Sequence, residues 1–317
     1  MIYRKLGDTD VDISIIAMGG HEYLPDGRSR GFNENFERAV NPGYIFDGFG
    51  REVRKKVLSL AYECGINFFD VTQDSEKEAL GRNLKEMPPP YEVYIQTRPE
   101  GMVYTYDRYN RKMADYELLK TEVQRGLKLL RRDRLDFLNL AFMRSALDHD
   151  PEYLAKIQSN IEKLKKEGLI RFSSADTFSG ESTYLKQIEA GCFDAVYINF
   201  NFADYGSKRR VLPAAKANGL PIISREAFMK GALFEMGKEV GLTDRTRLAQ
   251  IGIKWNLFHP EVTTVVIGTN NPNHFISNLQ VLENLNITEE EEQIITKIKT
   301  SRLYKAYEER KTKEFHN

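Results

Sequence analysis

Charged side chains recur at the ends of short apolar segments along this chain of 317 residues. Asp70 lies next to last in the apolar run INFFDV, Arg98 closes EVYIQTR, and His21 directly follows ISIIAMGG. A carboxylate and an imidazole can exchange protons with a substrate near neutral pH. A guanidinium keeps its proton and instead binds carboxylates or phosphates, or stabilises a developing oxyanion. These residue types predict acid–base chemistry on a polar or anionic small molecule.

The chemistry requires that these segments end on one side of a common scaffold. Eight runs rich in Val, Ile and Phe show little polar alternation, which is typical of parallel strands buried on both faces. The predicted strands are 13–20, 66–71, 92–98, 135–143, 170–176, 195–201, 221–228 and 263–269. Amphipathic segments separate them, and the predicted helices are 51–65, 75–86, 115–131, 151–168, 180–191, 206–219, 244–258 and 272–285.

Eight strand–helix units without an intervening linker predict an α/β protein, a (β/α)8 barrel of one domain over residues 1–317. Two doubly wound sheets are the alternative, although no break in composition separates them. The segment YRKLGDTDVDIS before the first barrel strand predicts a β-hairpin with GDTD as its turn. A long loop at 20–50 follows the first barrel strand, and the charged tail 301–317 is interpreted as a solvated helix end.

The amino-acid composition limits the kinds of partner that this protein is expected to bind. The 46 basic and 46 acidic residues cancel, so charge gives no reason to expect nucleic acid or an anionic membrane as a partner. The two cysteines and five histidines show no metal-ligand spacing, and we expect no metal. The start of the chain lacks the apolar core of a signal peptide, and no apolar run reaches the ~20 residues that cross a bilayer. We therefore expect a cytoplasmic protein.

Five motifs in their order of occurrence resemble the aldo-keto reductase family. They are YRKLGDTDVDISIIAMGG, GINFFDV with SEKEALGRNL, EGLIRF, FMKGALF and VIGTNNPNHFISNL, and together they extend over residues 1–285. The resemblance implies the same hairpin-capped (β/α)8 barrel. It also implies an NAD(P)H-dependent oxidoreductase in which an Asp, a Tyr, a Lys and a His carry out the reaction.

The resemblance gives a match for only one of those four residues. Asp70 occupies the position of the Asp, but the segment VTQD leads directly to Ser75, so about three residues are missing and the Tyr is among them. Arg98 stands at the position of the Lys, and Arg144 best matches the His. The resemblance thus implies a catalytic set of Asp70, Arg98 and Arg144 with a different proton donor. We expect Arg98 to keep Asp70 ionised, because a nearby cation lowers the pKa of a carboxyl group.

Replacement proton donors are present near the predicted barrel mouth. His21 is the best candidate, because its unperturbed pKa lies nearest neutrality. The loop after the third barrel strand supplies Tyr104, Tyr106 and Tyr109 as further candidates.

The resemblance also implies a site for NADP or NAD. The family positions that hold the nicotinamide carboxamide correspond to Asp176, Thr177 and Tyr197. Arg225 stands where the family usually has an aromatic residue that stacks on the nicotinamide. The phosphates and adenosine fall on Gly231, Gly268, Thr269, Asn270, His274 and Asn278. Backbone N–H groups at the start of the helix after Asn271 could hold a phosphate.

Three functions follow from these assignments. The first is an NAD(P)H-dependent oxidoreductase with a rebuilt proton donor, acting on an anionic or polyhydroxylated carbonyl compound or sugar. The second is a non-redox lyase or isomerase that uses His21, Glu22, Asp70 and the arginines for proton abstraction. The third is a catalytically inactive member that binds the cofactor. Each of them takes a small molecule as its partner.

Overall fold

Eight parallel strands close into a barrel, and an antiparallel pair precedes them. The structure is a computed structural model and describes residues 1–316. The antiparallel pair is β1 (Tyr3–Lys5) and β2 (Asp12–Ser14). The barrel strands are β3 (Ile16–Gly19), β4 (Phe68–Asp70), β5 (Tyr94–Thr97), β6 (Leu135–Ala141), β7 (Ile170–Asp176), β8 (Ala195–Asn199), β9 (Ile222–Arg225) and β10 (Val262–Ile267). The predicted hairpin and the (β/α)8 barrel are both confirmed.

The strands follow one another around the barrel in chain order, and β10 pairs with β3 to close it. In the closing register, Val265 lies opposite Ile16 and Ile267 lies opposite Met18. Because every neighbouring pair in the barrel is parallel, all eight carboxyl ends open on the same face. That face is where the charged strand ends were expected to meet.

Helices cover the outside of the barrel. They are α1 (Phe36–Ala39), α2 (Glu52–Glu63), α3 (Asp74–Glu86), α4 (Arg111–Ala114), α5 (Tyr116–Leu130), α6 (Arg144–His149), α7 (Tyr153–Lys166), α8 (Glu181–Glu189), α9 (Val211–Ala217), α10 (Ala232–Glu239), α11 (Arg245–Leu257), α12 (Pro272–Leu279), α13 (Glu289–Lys299) and α14 (Arg302–His316). Each of the eight predicted helices is present; α3 begins one residue earlier than predicted, and the others are shortened at one or both ends. The other six are short or lie near the carboxyl terminus.

The barrel interior changes from apolar to polar along its axis. At the amino-terminal end, Leu6, Val11 and Ile13 from the hairpin region pack in one cluster with Phe68 and Phe137. The hairpin thus plugs the bottom of the barrel. Toward the other end, the interior carries the buried polar side chains Asp70, Gln96, Asn139, Ser174 and Tyr197. Buried polar groups are costly unless they are hydrogen-bonded, so this layer marks the end of the barrel that is used for chemistry.

The charged tail forms α14, and one face of this helix is buried, which differs from the expected solvated end. Tyr304 is 2% exposed and donates its hydroxyl hydrogen to the carbonyl of Phe202 at 2.8 Å. Phe315 packs near the ring of Tyr184. The helix therefore braces the loops that follow β7 and β8. Asn317 lies outside the described residues. Within residues 1–316, none of the helices has the length and apolarity to cross a membrane.

Candidate active site

Five of the predicted site residues converge on the open end of the barrel. Asp70, Asp176 and Arg225 are the last residues of β4, β7 and β9. Arg98 follows β5 directly, and His21 comes two residues after β3. The structure therefore brings together side chains that lie far apart in the chain, from His21 to Arg225. Their partners, however, differ from those that the sequence suggested.

Asp70 is held by neutral groups of the barrel interior. The amide of Gln96 donates to its Oδ1 at 3.0 Å, and the hydroxyl of Tyr197 donates to its Oδ2 at 2.6 Å. Arg98 forms no ion pair with it at 4.0 Å or less. Burial raises the pKa of Asp70, and the two hydrogen bonds only partly oppose this effect. The pKa of Asp70 is thus raised and not lowered as expected, and the charges that oppose the rise are those of Arg225 and His21 rather than that of Arg98.

His21 pairs with a carboxylate that sequence reasoning had not placed in the site. Its Nδ1 lies 2.7 Å from Oε1 of Glu76, at the start of α3. Burial lowers the pKa of His21, but the charge and hydrogen bond of Glu76 outweigh that effect, and the pKa lies above its ordinary value. Burial in turn raises the pKa of Glu76, but the His21 charge and two hydrogen bonds from Thr72 bring it to about 2. Because Nδ1 is engaged, Nε2 is the ring nitrogen left to meet a substrate.

Arg225 and Asp176 form a buried, two-bond ion pair. The guanidinium nitrogens Nη1 and Nη2 lie 2.8 and 2.9 Å from the two carboxylate oxygens, and Asp176 is fully buried. The hydroxyl of Tyr104 donates to the same carboxylate at 2.7 Å, and the hydroxyl of Tyr184 lies 3.4 Å from it. The carboxylate is therefore saturated by groups of the protein itself.

The Arg225 guanidinium is also enclosed by aromatic rings. Its Cζ lies 4.3 Å from the ring centroid of Tyr197 and 4.9 Å from that of Phe178. A nicotinamide carboxamide needs an acceptor for its N–H and a donor for its oxygen. Asp176 and the hydroxyl of Thr177 are of suitable types, so the residues fit the group. In this structure Asp176 is engaged with Arg225, and the Thr177 hydroxyl accepts from the backbone N–H of Ser179.

The predicted phosphate site after β10 is internally bonded. Asn271 caps α12, and its side chain accepts from the backbone N–H groups of Asn273 and His274. Its own N–H donates to the hydroxyl of Thr269. The side chain of Asn270 donates to the carbonyl of Tyr23 at 2.9 Å. The N–H groups that were expected to be free for a phosphate are therefore satisfied by this cap.

Three other predicted cofactor residues lie in the segments that follow β9 and β10. Gly231 adopts a left-handed conformation (φ 94°) directly before α10, at the end of the loop after β9. Gly268 leaves no room for a side chain, because a Cβ atom there would lie 2.4 Å from the hydroxyl of Tyr23. Asn278 is buried in α12.

Arg98 lies between aromatic rings at the mouth. Its Cζ is 5.0 Å from the ring centroid of Tyr104 and 5.9 Å from that of Phe32. Tyr106 is a further neighbour, because the Arg98 charge opposes the rise that burial gives to the pKa of Tyr106. Tyr104, Tyr106 and Arg98 thus form one cluster, whereas Tyr109 lies apart from it and stacks on His149.

Arg144 lies outside the buried cluster. The last residue of β6 is Ala141, and Arg144 begins the short helix α6. Its side chain is 47% exposed and lies 3.7 Å from Asp148 on the same helix. The prediction that Arg144 reaches the reacting group has no support from this placement.

The long loop after β3 packs against the start of α3. Gly31 has φ 71° and lies against Gln73, where a Cβ atom would meet the amide oxygen at 1.8 Å. The same amide donates to the carbonyl of Arg30, and the N–H of Gly43 donates to Asp74 at 2.7 Å. Phe32 of this loop lies against His21, at 6.1 Å between ring centroids. The loop therefore forms one wall of the mouth.

Sequence reasoning missed Glu76 and Gln96 as site residues. Glu76 belongs to a capping box with Gln73, a pattern that is visible in the sequence but signals only a helix start. Gln96 lies within an apolar strand and carries no signal of its own. In the part of the chain that the structure describes, no group of three or more His, Cys, Asp or Glu side chains could hold a metal ion.

Comparison with known proteins agrees with this architecture. The model of the Aldo/keto reductase family matches residues 44–240. No match was found among curated proteins.

Solved structures share the fold at low sequence identity. Aldo-keto reductase AKR11C1 from Bacillus halodurans, in its holo form, is 18% identical with a TM-score of 0.68, and the match covers 94% of this chain and 96% of that one. The apo form of the same protein has a TM-score of 0.65 at the same identity and coverage. A Pseudomonas aeruginosa protein described as an aldo-keto reductase is 18% identical with a TM-score of 0.62, over 90% of this chain and 95% of that one.

Proposed function

Because this chain belongs to the aldo/keto reductase family, we propose that it is an NAD(P)(H)-dependent oxidoreductase with a rebuilt proton donor. Its substrate is a small polar or anionic carbonyl compound, or the corresponding alcohol. The observation that carries this proposal is the His21–Glu76 pair at the barrel mouth, 2.7 Å apart. It supplies an acid–base group in a site from which the expected tyrosine is missing.

His21 acts as the general acid in the direction of carbonyl reduction. The ionised Glu76 carboxylate accepts the hydrogen of Nδ1, fixes the orientation of the ring, and favours the protonated imidazole. A proton from Nε2 then passes to the carbonyl oxygen of the substrate as that oxygen gains negative charge. In the oxidative direction, neutral His21 accepts the proton of the alcohol. Asp70 accepts the hydroxyl hydrogen of Tyr197 and positions that ring beneath the mouth.

The nicotinamide supplies or accepts the hydride when it is bound. Asp176 and Thr177 would hold its carboxamide once Arg225 has moved away. Gly231 and the residues from Gly268 to Asn270, together with His274 and Asn278, would hold the rest of the dinucleotide. Both NADP and NAD fit this description.

The buried pair of Arg225 and Asp176 favours a second function of another class. If the pair never opens, the mouth works without a nicotinamide, and His21 moves a proton on a carbon atom beside a carbonyl or carboxylate. That activity is a lyase or an isomerase. NADPH fluorescence distinguishes the two functions, because only the oxidoreductase quenches or shifts the nicotinamide emission on binding.

The test of the proton donor is His21→Gln, with His149→Gln as the matched control. His149 stacks on Tyr109 outside the cluster. General acid catalysis contributes typically 10²–10⁴-fold, so His21→Gln is expected to lower kcat for carbonyl reduction at least about 100-fold. NADPH oxidation at saturating carbonyl substrate measures it. If His21→Gln keeps a rate near that of the wild-type protein, the assignment of His21 as proton donor is refuted. If His149→Gln loses as much activity as His21→Gln, the loss is not specific to His21 and does not support the assignment.

A further inference from the structure

Arg98 is a buried cation that has no carboxylate partner. It is 8% exposed, and its Nε has no hydrogen-bond partner. Within residues 1–316, no Asp or Glu oxygen lies within 4.0 Å of its guanidinium nitrogens. Arg225, by contrast, has two bonds to Asp176 at the same mouth. A buried charge is costly unless it is paired, so the site is complete only with an anion that the chain does not supply.

The carboxyl groups nearest to Arg98 do not contact its guanidinium directly. Asp176 already binds Arg225 and Tyr104. Glu100, two residues further along, is 1% exposed, and burial raises its pKa to about 7. The other neighbours of Arg98 are the rings of Tyr104 and Phe32 and the hydroxyl of Tyr106, all of them neutral. Inside the mouth, the Arg98 guanidinium is therefore left without a direct carboxylate contact among residues 1–316.

The position of Arg98 relative to His21 indicates which kind of anion would bind. The ring of Phe32 lies against both of them, 6.1 Å from the imidazole and 5.9 Å from the guanidinium. Arg98 and the proton donor His21 therefore share Phe32 as a neighbour in the same part of the mouth. A single uncompensated cation matches a singly charged group. A phosphate dianion would need a second cation, and Arg225 is already neutralised by Asp176.

We infer that Arg98 binds the carboxylate of the substrate and that the substrate is a short oxo acid, or the matching hydroxy acid, whose carbonyl lies beside His21. The guanidinium forms two parallel bonds to the carboxylate, and the aromatic rings exclude water around them. This inference rests on the proposed function for the identity of the reacting group. The carboxylate subsite itself can be tested without any cofactor.

The experiment measures binding of pyruvate, acetone and inorganic phosphate to the cofactor-free protein by calorimetry. Arg98→Met and Arg98→Lys are compared with Arg108→Met, a control at an exposed arginine of the same loop. We expect pyruvate to bind the wild-type protein, acetone to bind undetectably, and Arg98→Met to weaken pyruvate binding at least tenfold. Arg98→Lys should retain part of the affinity, and Arg108→Met all of it. Unchanged pyruvate binding in Arg98→Met, or tighter binding of phosphate than of pyruvate, overturns the inference.

The melting temperature provides a second readout that separates a binding role from a structural one. If Arg98 is an uncompensated charge, Arg98→Met raises or preserves the melting temperature of the unliganded protein. A marked decrease overturns the inference, because it means that Arg98 is paired within the fold. Failure of the proposed function can be distinguished from failure of this inference. If pyruvate binding depends on Arg98 but the protein does not bind NADPH, the oxidoreductase is refuted and the carboxylate subsite is not. Conversely, NADPH-dependent reduction of neutral and anionic carbonyls that is insensitive to Arg98→Met refutes the subsite alone.

Discussion

The ion pair between Arg225 and Asp176 should oppose nicotinamide binding, and removing both of its charges should strengthen it. The double variant Asp176→Ser/Arg225→Tyr replaces the pair with a hydroxyl and an aromatic ring, the residue types that the family resemblance places there. Neither charge is then left buried without its partner, a situation that costs several kcal/mol. The variant also removes the guanidinium from between Tyr197 and Phe178.

The size of the effect follows from the geometry of the pair. Asp176 is fully buried, the Arg225 side chain is 12% exposed, and two bonds join them. Breaking a buried pair of this kind costs about 3–5 kcal/mol. The lower end applies here, because Tyr104 continues to donate to Asp176 after Arg225 leaves. If only the open form binds the nicotinamide, about 3 kcal/mol weakens the apparent affinity about 150-fold. The double variant is expected to bind NADPH between tenfold and about 150-fold more tightly than the wild-type protein does.

The assay is a fluorescence titration of NADPH, with ADP-ribose binding measured by calorimetry as the internal control. ADP-ribose lacks the nicotinamide, so it does not require Arg225 to move. Its affinity should be the same in the wild-type protein and in the double variant. The expected result is therefore a selective gain for NADPH.

Two results would refute this reasoning. If wild-type protein and double variant bind NADPH equally well, the ion pair is no obstacle. If both ligands gain affinity equally, the effect arises outside the nicotinamide position. The single variant Arg225→Leu should behave differently from the double variant, because it leaves Asp176 buried without its cation and lowers the free energy of unfolding.

Three other predictions concern the titrating groups and the packing around the site. Because Glu76 raises the pKa of His21, kcat for carbonyl reduction should fall as the pH rises through a value above 6.5. Glu76→Gln should move this inflection to lower pH, both in the pH–rate profile and in an NMR titration of the imidazole. Burial raises the pKa of Glu100 to about 7 in the folded state, so the folded state binds more protons than the unfolded chain between about pH 4.5 and 7, and stability falls as the pH rises through that range. Glu100→Gln should abolish this decrease and add about 3 kcal/mol to the free energy of unfolding at pH 8. Urea denaturation at pH 5 and pH 8 measures both effects. Gly81 of α3 packs so closely against the α5 backbone that a Cβ atom would lie 2.2 Å from the carbonyl oxygen of Leu129. Gly81→Ala should therefore lower the free energy of unfolding by about 2 kcal/mol or more in the same urea assay. An unchanged urea midpoint would contradict this helix contact.

The charged rim of the site could be predicted in part from the sequence. Once a segment such as INFFDV is identified as a parallel strand, its terminal Asp70 must lie at the carboxyl end of the barrel, and the same holds for Arg98 after β5. For Arg144 the same reasoning placed the strand end too late, because β6 ends three residues earlier and Arg144 begins α6. The end of a strand is decided by where its ladder partners stop, and a continuous apolar run does not reveal that point.

The sequence alone determined the architecture of this protein. Strands buried on both faces need long apolar runs, helices that cover them need an apolar stripe, and both patterns are local and repeated eight times. Only the tertiary structure decided which side chains pair with each other. Asp70 and Tyr197 lie 127 residues apart, and Asp176 and Arg225 lie 49 apart. Such contacts depend on side-chain rotamers and burial within the closed barrel, where the cost of an unpaired charge selects one partner among several. For this reason the pairing of His21 with Glu76, and the absence of a carboxylate partner for Arg98 among the described residues, emerge only once the barrel is closed.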